Sequence, residues 1–281
     1  MSISSVLLRS IKEMLWPRRF LPFFLLYLLF ASTAYVCLLP MLYALASPVP
    51  TVEPSLILTG LMLLLLAIIG AVLSNLWFTG ALIDDIKSKR GFERALRKVK
   101  SVFWQMLLLS SVIMMLFFII STLFRQLALF LFLVVDILFF FALPAVVIKK
   151  DSFDKALARS YGIVKKSFLE FLAFWLLRGF LMLVILFVLF FFLALTLSPI
   201  ALRAVPDLAS RVEALEMREF SSTQVSDTVA TRIAIALLGN YPVVFSALAV
   251  LSFFLAIHHC FNYLSKTYYF LELTKKRRKR R

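Results

Sequence analysis

The sequence has few of the residues on which most catalytic and metal-binding sites depend. Among its 281 residues are two histidines, two cysteines and seven glycines. It has no Gly-rich phosphate loop and no G-x-S-x-G motif, and its two histidines provide no evident Ser/His/Asp set. We therefore expect a non-enzymatic protein with no cofactor, and a membrane-embedded enzyme is the least favoured class of function.

Charged residues are also scarce, and their scarcity excludes a soluble protein. They make up 16% of the chain, whereas hydrophobic residues make up 62% and include 30 phenylalanines. Soluble domains are about 25% charged and about 45–50% apolar. Several apolar runs here reach the roughly 20 residues that a helix needs to cross the hydrocarbon core of a bilayer. The composition therefore predicts an all-α polytopic membrane bundle, organised as a single transmembrane domain.

Six apolar runs predict six transmembrane helices with both termini on the same side. The spans are expected at about residues 20–46, 56–82, 102–124, 127–148, 168–197 and 242–264. Amphipathic interfacial helices are expected at about residues 3–16, 86–100 and 152–166, with an outer-side loop at 199–241. This topology puts 25 of the 31 basic residues on one side, which the positive-inside rule makes cytoplasmic. The predicted location is the cell (plasma) membrane of a prokaryote.

Two charged stretches between spans share a short pattern. The first contains Phe92-Glu93-Arg94-Ala95-Leu96 and the second contains Phe153-Asp154-Lys155-Ala156-Leu157, about 61 residues later. This predicts an internal duplication of a span, an amphipathic helix and a further span. One apolar face of each helix is expected in the acyl boundary of the inner leaflet. These faces comprise Phe92, Ala95, Leu96, Val99 and Phe103 in the first helix, and Phe153, Ala156, Leu157, Tyr161 and Val164 in the second.

The cations of these stretches and of the C-terminal tail are expected to contact anionic lipid or a protein partner. Each cation near an anionic membrane surface contributes about 1 kcal/mol. Whether the two helices only set the topology or form a docking surface stays open, as does a homo-oligomer. A ribosome contact through the tail is a less favoured alternative, and no DNA partner is expected. The residues assigned to these contacts are Lys87, Lys89, Arg90, Arg94, Arg97, Lys98, Lys155, Arg159, Lys165, Lys166, Lys275, Lys276, Arg277 and Arg278.

Two opposite charges are predicted inside neighbouring spans at similar depth. Counted from the cytoplasmic boundary at about 1.5 Å per residue, Asp136 lies about 18 Å deep and Arg178 about 16 Å deep. Because an unpaired charge at this depth is expensive, we predict an intramembrane ion pair between Asp136 and Arg178. The pair either serves the structure alone or lies on the route of an ion or polar substrate, and both interpretations stay open.

His258, His259 and Cys260, near the inner end of the last predicted span, form a run of potential metal ligands. Consecutive helical residues point about 100° apart, so these side chains do not converge on one ion without ligands from other helices. No HExxH motif, CxxC motif or carboxylate cluster supplies such ligands. We therefore predict no metal site.

The run LPAVVIKKDSFDKALARSYGIVKKSFLEFLAFWLL, residues 143–177, resembles a pattern found in several uncharacterised six-span prokaryotic membrane families. These include the YciC-like inner-membrane family and families related to the membrane domain of glycerophosphodiester phosphodiesterases. The resemblance implies a six-span architecture and supplies no catalytic residues. The matching positions are Pro144, Val146, Val147, Ser152, Ala156 or Leu157, and Ser160.

Two functions remain compatible with these observations. The first is a lipid-interacting scaffold or an accessory or assembly subunit at the inner leaflet. It is favoured by the paired basic helices, the basic tail and the small number of polar groups inside the spans. The alternative is a transporter or channel that uses Asp136 and Arg178, and it predicts a water-accessible cavity that reaches both residues.

Overall fold

The structure is a computed structural model that describes residues 2–46, 53–89, 91–204 and 234–279. Within these ranges the regular secondary structure is helical. The helices are α1 (Ile3–Met14), α2 (Pro17–Ala46), α3 (Pro54–Ser88), α4 (Phe92–Val99), α5 (Phe103–Leu123), α6 (Ala128–Phe139), α7 (Ala142–Lys149), α8 (Phe153–Lys166), α9 (Phe168–Ala204) and α10 (Tyr241–Lys279). Residues 234–239 are also helical.

In the described ranges, six helical segments are long and apolar enough to cross a membrane, which confirms the predicted all-α multi-pass fold. Several bounds differ from the prediction; α9, for example, continues to Ala204, which lies within the predicted outer-side loop. The interfacial helix expected at residues 86–100 begins at Phe92, because α3 continues to Ser88. The last span, expected to end at residue 264, is part of α10, which continues to Lys279. Of the predicted outer-side loop, residues 205–233 lie outside the described ranges.

The chain divides into two compact units. The first comprises Met1–Phe24, Val72–Ile185 and Ala256–Arg281, and the second comprises Leu25–Ala71 and Leu186–Leu255. The four longest helices, α2, α3, α9 and α10, each contribute residues to both units. The polar clusters described below belong to the first unit.

In the second unit, helices α2 and α3 approach each other closely at Gly60. A Cβ atom added at Gly60 of α3 would overlap the backbone carbonyl oxygen of Cys37 in α2. Elsewhere in this unit, Ala236 and Val244 are buried in a small apolar core, and the Tyr35 hydroxyl beside it donates to the carbonyl oxygen at position 237 at 3.3 Å. Small residues let helix backbones approach closely in membrane proteins, and Gly60 has this role.

The fourth predicted span is broken between α6 and α7, at Phe140 and Phe141. Pro144 has no N–H, so it cannot donate to the Phe140 carbonyl four residues earlier, and a continuous helix is disfavoured. Ser160 of α8 bridges the break. Its hydroxyl donates to the Leu138 carbonyl at 2.7 Å and accepts from the Phe141 amide at 3.1 Å. The serine thereby satisfies backbone groups that the break would otherwise leave unpaired in an apolar environment.

The apolar face of α4 packs on α3 within the first unit. Phe92, Ala95 and Val99 are buried, as the sequence pattern indicated. The rings of Phe92 and Phe78 of α3 lie 6.1 Å apart, and a Cβ atom added at Gly80 of α3 would lie 2.9 Å from the Val99 side chain. This face therefore contacts protein, which corrects our expectation that it lies in the acyl boundary of the membrane.

The buried face of α8 is rotated relative to the predicted face. Ala156, Ser160, Ile163 and Val164 are buried, whereas Tyr161 is 51% exposed. The pattern favoured Tyr161 because aromatic side chains usually occupy apolar faces. The structure places Ser160 inside instead, because the break between α6 and α7 requires a side chain that both donates and accepts hydrogen bonds.

The two charged stretches have matching backbone geometry. Lys89 after α3 and Lys150 after α7 both adopt the left-handed conformation, with φ of 53° and 56°, and amphipathic α4 and α8 follow at the same interval. Lys87 Nζ donates to the Ile148 carbonyl at 2.6 Å, and these residues are 61 positions apart, which is the spacing of the two copies. Equivalent positions of the two stretches are therefore in direct contact.

The N-terminal helix α1 resembles α8 in sequence and in burial. Val6-Leu7-Leu8-Arg9-Ser10 matches Ala156-Leu157-Ala158-Arg159-Ser160 at the arginine, the serine and one leucine, and serines 2 and 152 stand at the two N-caps. Ser10 and Ser160 are both fully buried. Each of α1, α4 and α8 precedes a helix long enough to cross a membrane, so the same arrangement occurs three times along the chain.

Candidate functional site

The first polar cluster is centred on Asp136, in the last turn of α6. Trp175 Nε1 of α9 donates to Asp136 Oδ2 at 2.8 Å. Lys266 Nζ of α10 lies 3.6 Å from Asp136 Oδ1. The Lys266 side chain is 13% exposed and that of Asp136 is 38% exposed. Asp136 thus has an ionic partner, Lys266, and a neutral hydrogen-bond donor, Trp175, and the two come from different helices.

Arg178 of α9 belongs to the same cluster, but its direct partner is Asn262 of α10. Its guanidinium donates to the Asn262 side-chain oxygen, and its Cζ atom lies 4.9 Å from the centre of the Phe140 ring. Lys266 Nζ approaches the same ring at 4.5 Å. Arg178 is 5% exposed, and in the described part of the chain its Nε atom has no hydrogen-bond partner.

The structure therefore corrects the predicted Asp136–Arg178 ion pair. The two residues are neighbours in one network, but the cation in contact with Asp136 is Lys266. The prediction ended the last span at residue 264, which left Lys266 outside the membrane-spanning segment. Because α10 is continuous beyond that point, Lys266 lies one helical turn after Asn262 and its ammonium reaches the carboxylate.

A cavity of about 240 Å³ opens beside this cluster, between α5, α6, α7 and α10. Asp136 and Lys266 provide its charged lining, and Arg178 does not line it. The remaining walls are mostly apolar and include Leu109, Ile113, Met114, Phe117 and Leu143. The cavity therefore suits a small amphiphile whose polar end lies at the Asp136–Lys266 pair.

A second polar cluster joins α1, the start of α2, the end of α3 and α10. Arg19 donates to Glu13 through Nη1 and to Asp85 Oδ2 through Nε, the latter at 2.8 Å. Arg9 Nε donates to Glu13 Oε1 at 2.9 Å, and the Tyr268 hydroxyl donates to Glu13 Oε2. The side chains of Glu13, Arg19 and Asp85 are each at most 12% exposed. This network fixes α1 to the start of α2, the end of α3 and Tyr268 of α10.

The hydrogen bonds to Glu13 shift its acid–base equilibrium. Burial favours the neutral acid, but hydrogen bonds from Tyr268, Arg9 and Arg19 outweigh it and hold the pKa of Glu13 below its ordinary value. The hydrogen bond between the Arg9 guanidinium and the Glu13 carboxylate raises the pKa of Arg9. Both groups are therefore held in their charged forms.

A larger cavity, of about 430 Å³, opens over this second cluster. No sequence pattern predicted this cavity. The available signals were Asp85, one of two adjacent acids at the end of an apolar run, and Arg9 four residues before Glu13, which is the spacing of a helical ion pair. Neither signal alone shows that residues so distant in sequence come together. The lining comprises Arg9, Glu13, Trp16, Arg18, Arg19, Asp85, Ile86, Lys89, Gly91, Phe92 and Tyr268.

The His258-His259-Cys260 run does not bring its side chains to a common point. His259 Nε2 forms a hydrogen bond of 2.8 Å with Thr79 Oγ1, and its ring lies 4.6 Å from that of Phe23. The Cys260 thiol donates to the Arg19 carbonyl at 3.7 Å. These contacts give His259 and Cys260 packing and hydrogen-bonding roles. In the ranges that the structure describes, no three potential metal ligands gather in one place.

The cations predicted to contact lipid fall into two groups. Four have partners in the chain: Lys87 donates to the Ile148 carbonyl, Lys98 pairs with Asp84, Arg159 pairs with Asp151, and Lys165 lies over the Tyr161 ring. The other described cations are exposed and make no such contact: Lys89, Arg94, Arg97, Lys155, Lys166 and Lys275. Arg90 and the side chains of Lys276, Arg277 and Arg278 lie outside what the structure describes.

The fold and these clusters define an all-α, multi-pass membrane protein with one polar network between helices α6, α9 and α10 and another around Glu13. Comparison of the chain with models of known protein families, with curated proteins and with solved structures gave no match. The resemblance of residues 143–177 to six-span prokaryotic families therefore stays a prediction.

Proposed function

We propose that the protein is a non-enzymatic integral membrane protein that engages anionic lipid of the inner leaflet, as a scaffold or an accessory subunit. In this proposal both termini are cytoplasmic and the membrane is the plasma membrane of a prokaryote. The observation that carries the proposal is the group of exposed cations on α4 and α8. Arg94, Arg97, Lys155 and Lys166 are exposed and have no ion pair among the described residues.

The packing of the two helices explains why these cations are free. Each helix has its buried face against the protein, so the charged face remains outside. Each cation held near an anionic surface gains about 1 kcal/mol, so four act together as a substantial attraction. The helices thus support a surface that attracts lipid headgroups, while their apolar faces hold them in the protein.

The test measures which lipid surrounds the protein. The purified chain is reconstituted with brominated phosphatidylglycerol or brominated phosphatidylcholine, and quenching of its four tryptophans reports the relative binding of each lipid. We expect a preference for phosphatidylglycerol. Replacing Arg94, Arg97, Lys155 and Lys166 by Gln should remove most of it. An unchanged preference in that variant would contradict the proposal.

A matched control removes charges that are paired inside the protein. Asp84→Asn combined with Lys98→Gln abolishes the ion pair, whose nitrogen and oxygen lie 2.9 Å apart, and leaves the net charge of the chain unchanged. The lipid preference of this variant should equal that of the wild type. A loss here comparable to that of the four-residue variant would show that the preference reflects the integrity of the fold.

Transport remains a second candidate function in a changed form. The cavity of about 240 Å³ reaches Asp136 and Lys266, but it does not reach Arg178, as the predicted route required. Ser110 also lines this cavity and serves as a reporter. In a Cys37→Ala background, Ser110→Cys should react with a membrane-impermeant charged thiol reagent if water fills the cavity. A lack of labelling would identify the cavity as dry and remove the transport proposal.

A further inference from the structure

We propose that the cavity of about 430 Å³ over the Glu13–Arg19–Asp85 network binds the phosphate group of a phospholipid headgroup. This inference rests on the proposed lipid-binding function and adds a specific site to the general attraction of α4 and α8. Arg18 and Lys89 are the residues expected to contact the phosphate.

The charges of the cavity lining favour an anion. Four cations, Arg9, Arg18, Arg19 and Lys89, face two carboxylates, those of Glu13 and Asp85. An excess of cations disfavours a metal ion and favours a ligand with one or more negative charges.

The two carboxylates are already engaged by the protein. Glu13 accepts from Arg9, Arg19 and Tyr268. Asp85 accepts from Arg19 Nε and from the Gly91 amide, the latter at 3.0 Å. Their negative charge is therefore neutralised within the base of the cavity, and it does not need Arg18 or Lys89 as a partner.

Arg18 and Lys89 are left free to bind a ligand. Both are exposed cavity-lining residues, and neither makes an ion pair or a side-chain hydrogen bond within the described ranges. An arginine guanidinium matches two oxygens of a phosphate at once, and a lysine adds a compact positive charge. The Arg19 network below them is fixed by five hydrogen bonds to buried carboxylates, so the base of the site is organised before the ligand arrives.

The surroundings of the cavity favour a lipid over a free phosphate ion. Trp16 is 53% exposed and the adjacent Leu15 is 51% exposed, so a large apolar surface borders the cationic site. The cavity also lies where span α2 begins and span α3 ends. Lipid headgroups occupy this level of a membrane, and tryptophan is enriched there. A phosphate ester with an attached apolar chain would contact both the cations and this border.

The experiment compares two variants that remove equal charge. Native mass spectrometry of the detergent-purified chain with dioctanoyl phosphatidylglycerol as the probe gives the affinity of the tightest lipid. Arg18→Gln combined with Lys89→Gln should weaken that affinity about tenfold, since two charge-assisted contacts are lost. Lys12→Gln combined with Lys100→Gln, at two exposed residues that line neither cavity and are not assigned to lipid contact, should leave it within about twofold. Lys89→Arg combined with Arg18→Lys, which keeps both charges, should retain more affinity than the glutamine pair.

Each outcome decides the inference. Equal weakening by the two glutamine pairs would show surface attraction alone and overturn the site, while the quenching measurement of lipid preference would still support the proposed function. Competition by inorganic phosphate at the same concentration as the lipid would assign the site to a soluble phosphate and overturn the lipid assignment. Because both residues are exposed and unpaired, the melting temperature of the cavity variant should equal that of the wild type.

Discussion

Lys266 Nζ lies 3.6 Å from Asp136 Oδ1, across the interface between α10 and α6. This contact joins a residue of the last helix to a residue beside the break between α6 and α7. Arg178 has Asn262 as its direct partner and forms no ion pair with Asp136, while Arg178 and Lys266 both lie over the Phe140 ring.

Double-mutant cycles should separate the roles of the two cations. Asp136→Asn with Lys266→Gln should give a coupling energy of about 1–3 kcal/mol, as expected for residues in contact. Asp136→Asn with Arg178→Gln should give less than about 0.5 kcal/mol. Unfolding of the purified protein by denaturant in mixed micelles provides the free energies. A larger coupling for the Arg178 cycle would restore the ion pair predicted from the sequence.

Ser160→Ala should destabilise the protein by about 1–3 kcal/mol, because the Leu138 carbonyl and the Phe141 amide both lose their partner in a buried position. Thermal unfolding in detergent measures the change. Ser246→Ala is the matched control, since the Ser246 hydroxyl is exposed and bonds only to a carbonyl of its own helix. That change should cost less than about 0.5 kcal/mol. Equal effects of the two changes would show that the Ser160 hydrogen bonds do not stabilise the backbone between α6 and α7.

Alanine at Gly60 and at Gly70 should have effects of opposite sign. Replacing glycine by alanine inside a helix stabilises it by about 0.5–1 kcal/mol when space is available. No heavy atom lies within 4 Å of a Cβ atom built at Gly70, so Gly70→Ala should raise the melting temperature slightly. At Gly60 the added Cβ atom overlaps the Cys37 carbonyl oxygen, so Gly60→Ala should lower it. A stabilising effect at Gly60 would argue against close approach of α2 and α3.

The docking of α1 should weaken in acid. Because the pKa of Glu13 is held below its ordinary value of 4.5 in the folded protein, its ionised form contributes stability above that pH. This contribution is lost progressively as the pH falls from 4.5 through the lowered pKa of Glu13. Glu13→Gln should be less stable than the wild type at pH 7 by about 1–3 kcal/mol and should lose less stability between pH 5 and pH 3.

Thermal unfolding over that pH range measures the effect. The control is Glu93→Gln, which changes an exposed acid in α4. This variant should keep the acid-dependent loss of stability seen in the wild type. If Glu13→Gln and the wild type lose stability in parallel, Glu13 is not the group responsible.

The number and type of helices could be predicted from the sequence because they depend on local properties. About 20 consecutive apolar residues specify a membrane span wherever they occur, so all six spans follow from composition and length. The face of α4 was predicted correctly for the same reason, since the spacing of Phe92, Ala95 and Val99 is a property of one short helix.

The contacts between helices could not be predicted in this way. The sequence indicated that Asp136 and Arg178 are charges at similar depth. The depth of a residue along its helix does not specify which side chain of a neighbouring helix it contacts. Lys266 became the partner only through the continuation of α10, and the network of Arg9, Glu13 and Arg19 with Asp85 and Tyr268 joins residues from both ends of the chain.

Sequence alone therefore establishes a multi-pass helical membrane protein, and it predicts amphipathic helices in the two charged stretches between spans. Tertiary packing decides which face of α8 is buried, what covers the predicted face of α4, where the fourth span is broken, and which charges are neutralised inside the protein. The physical reason is that spans and amphipathic faces depend on interactions of a segment with its solvent. Ion pairs and cavities instead depend on the packing of segments that are distant in sequence.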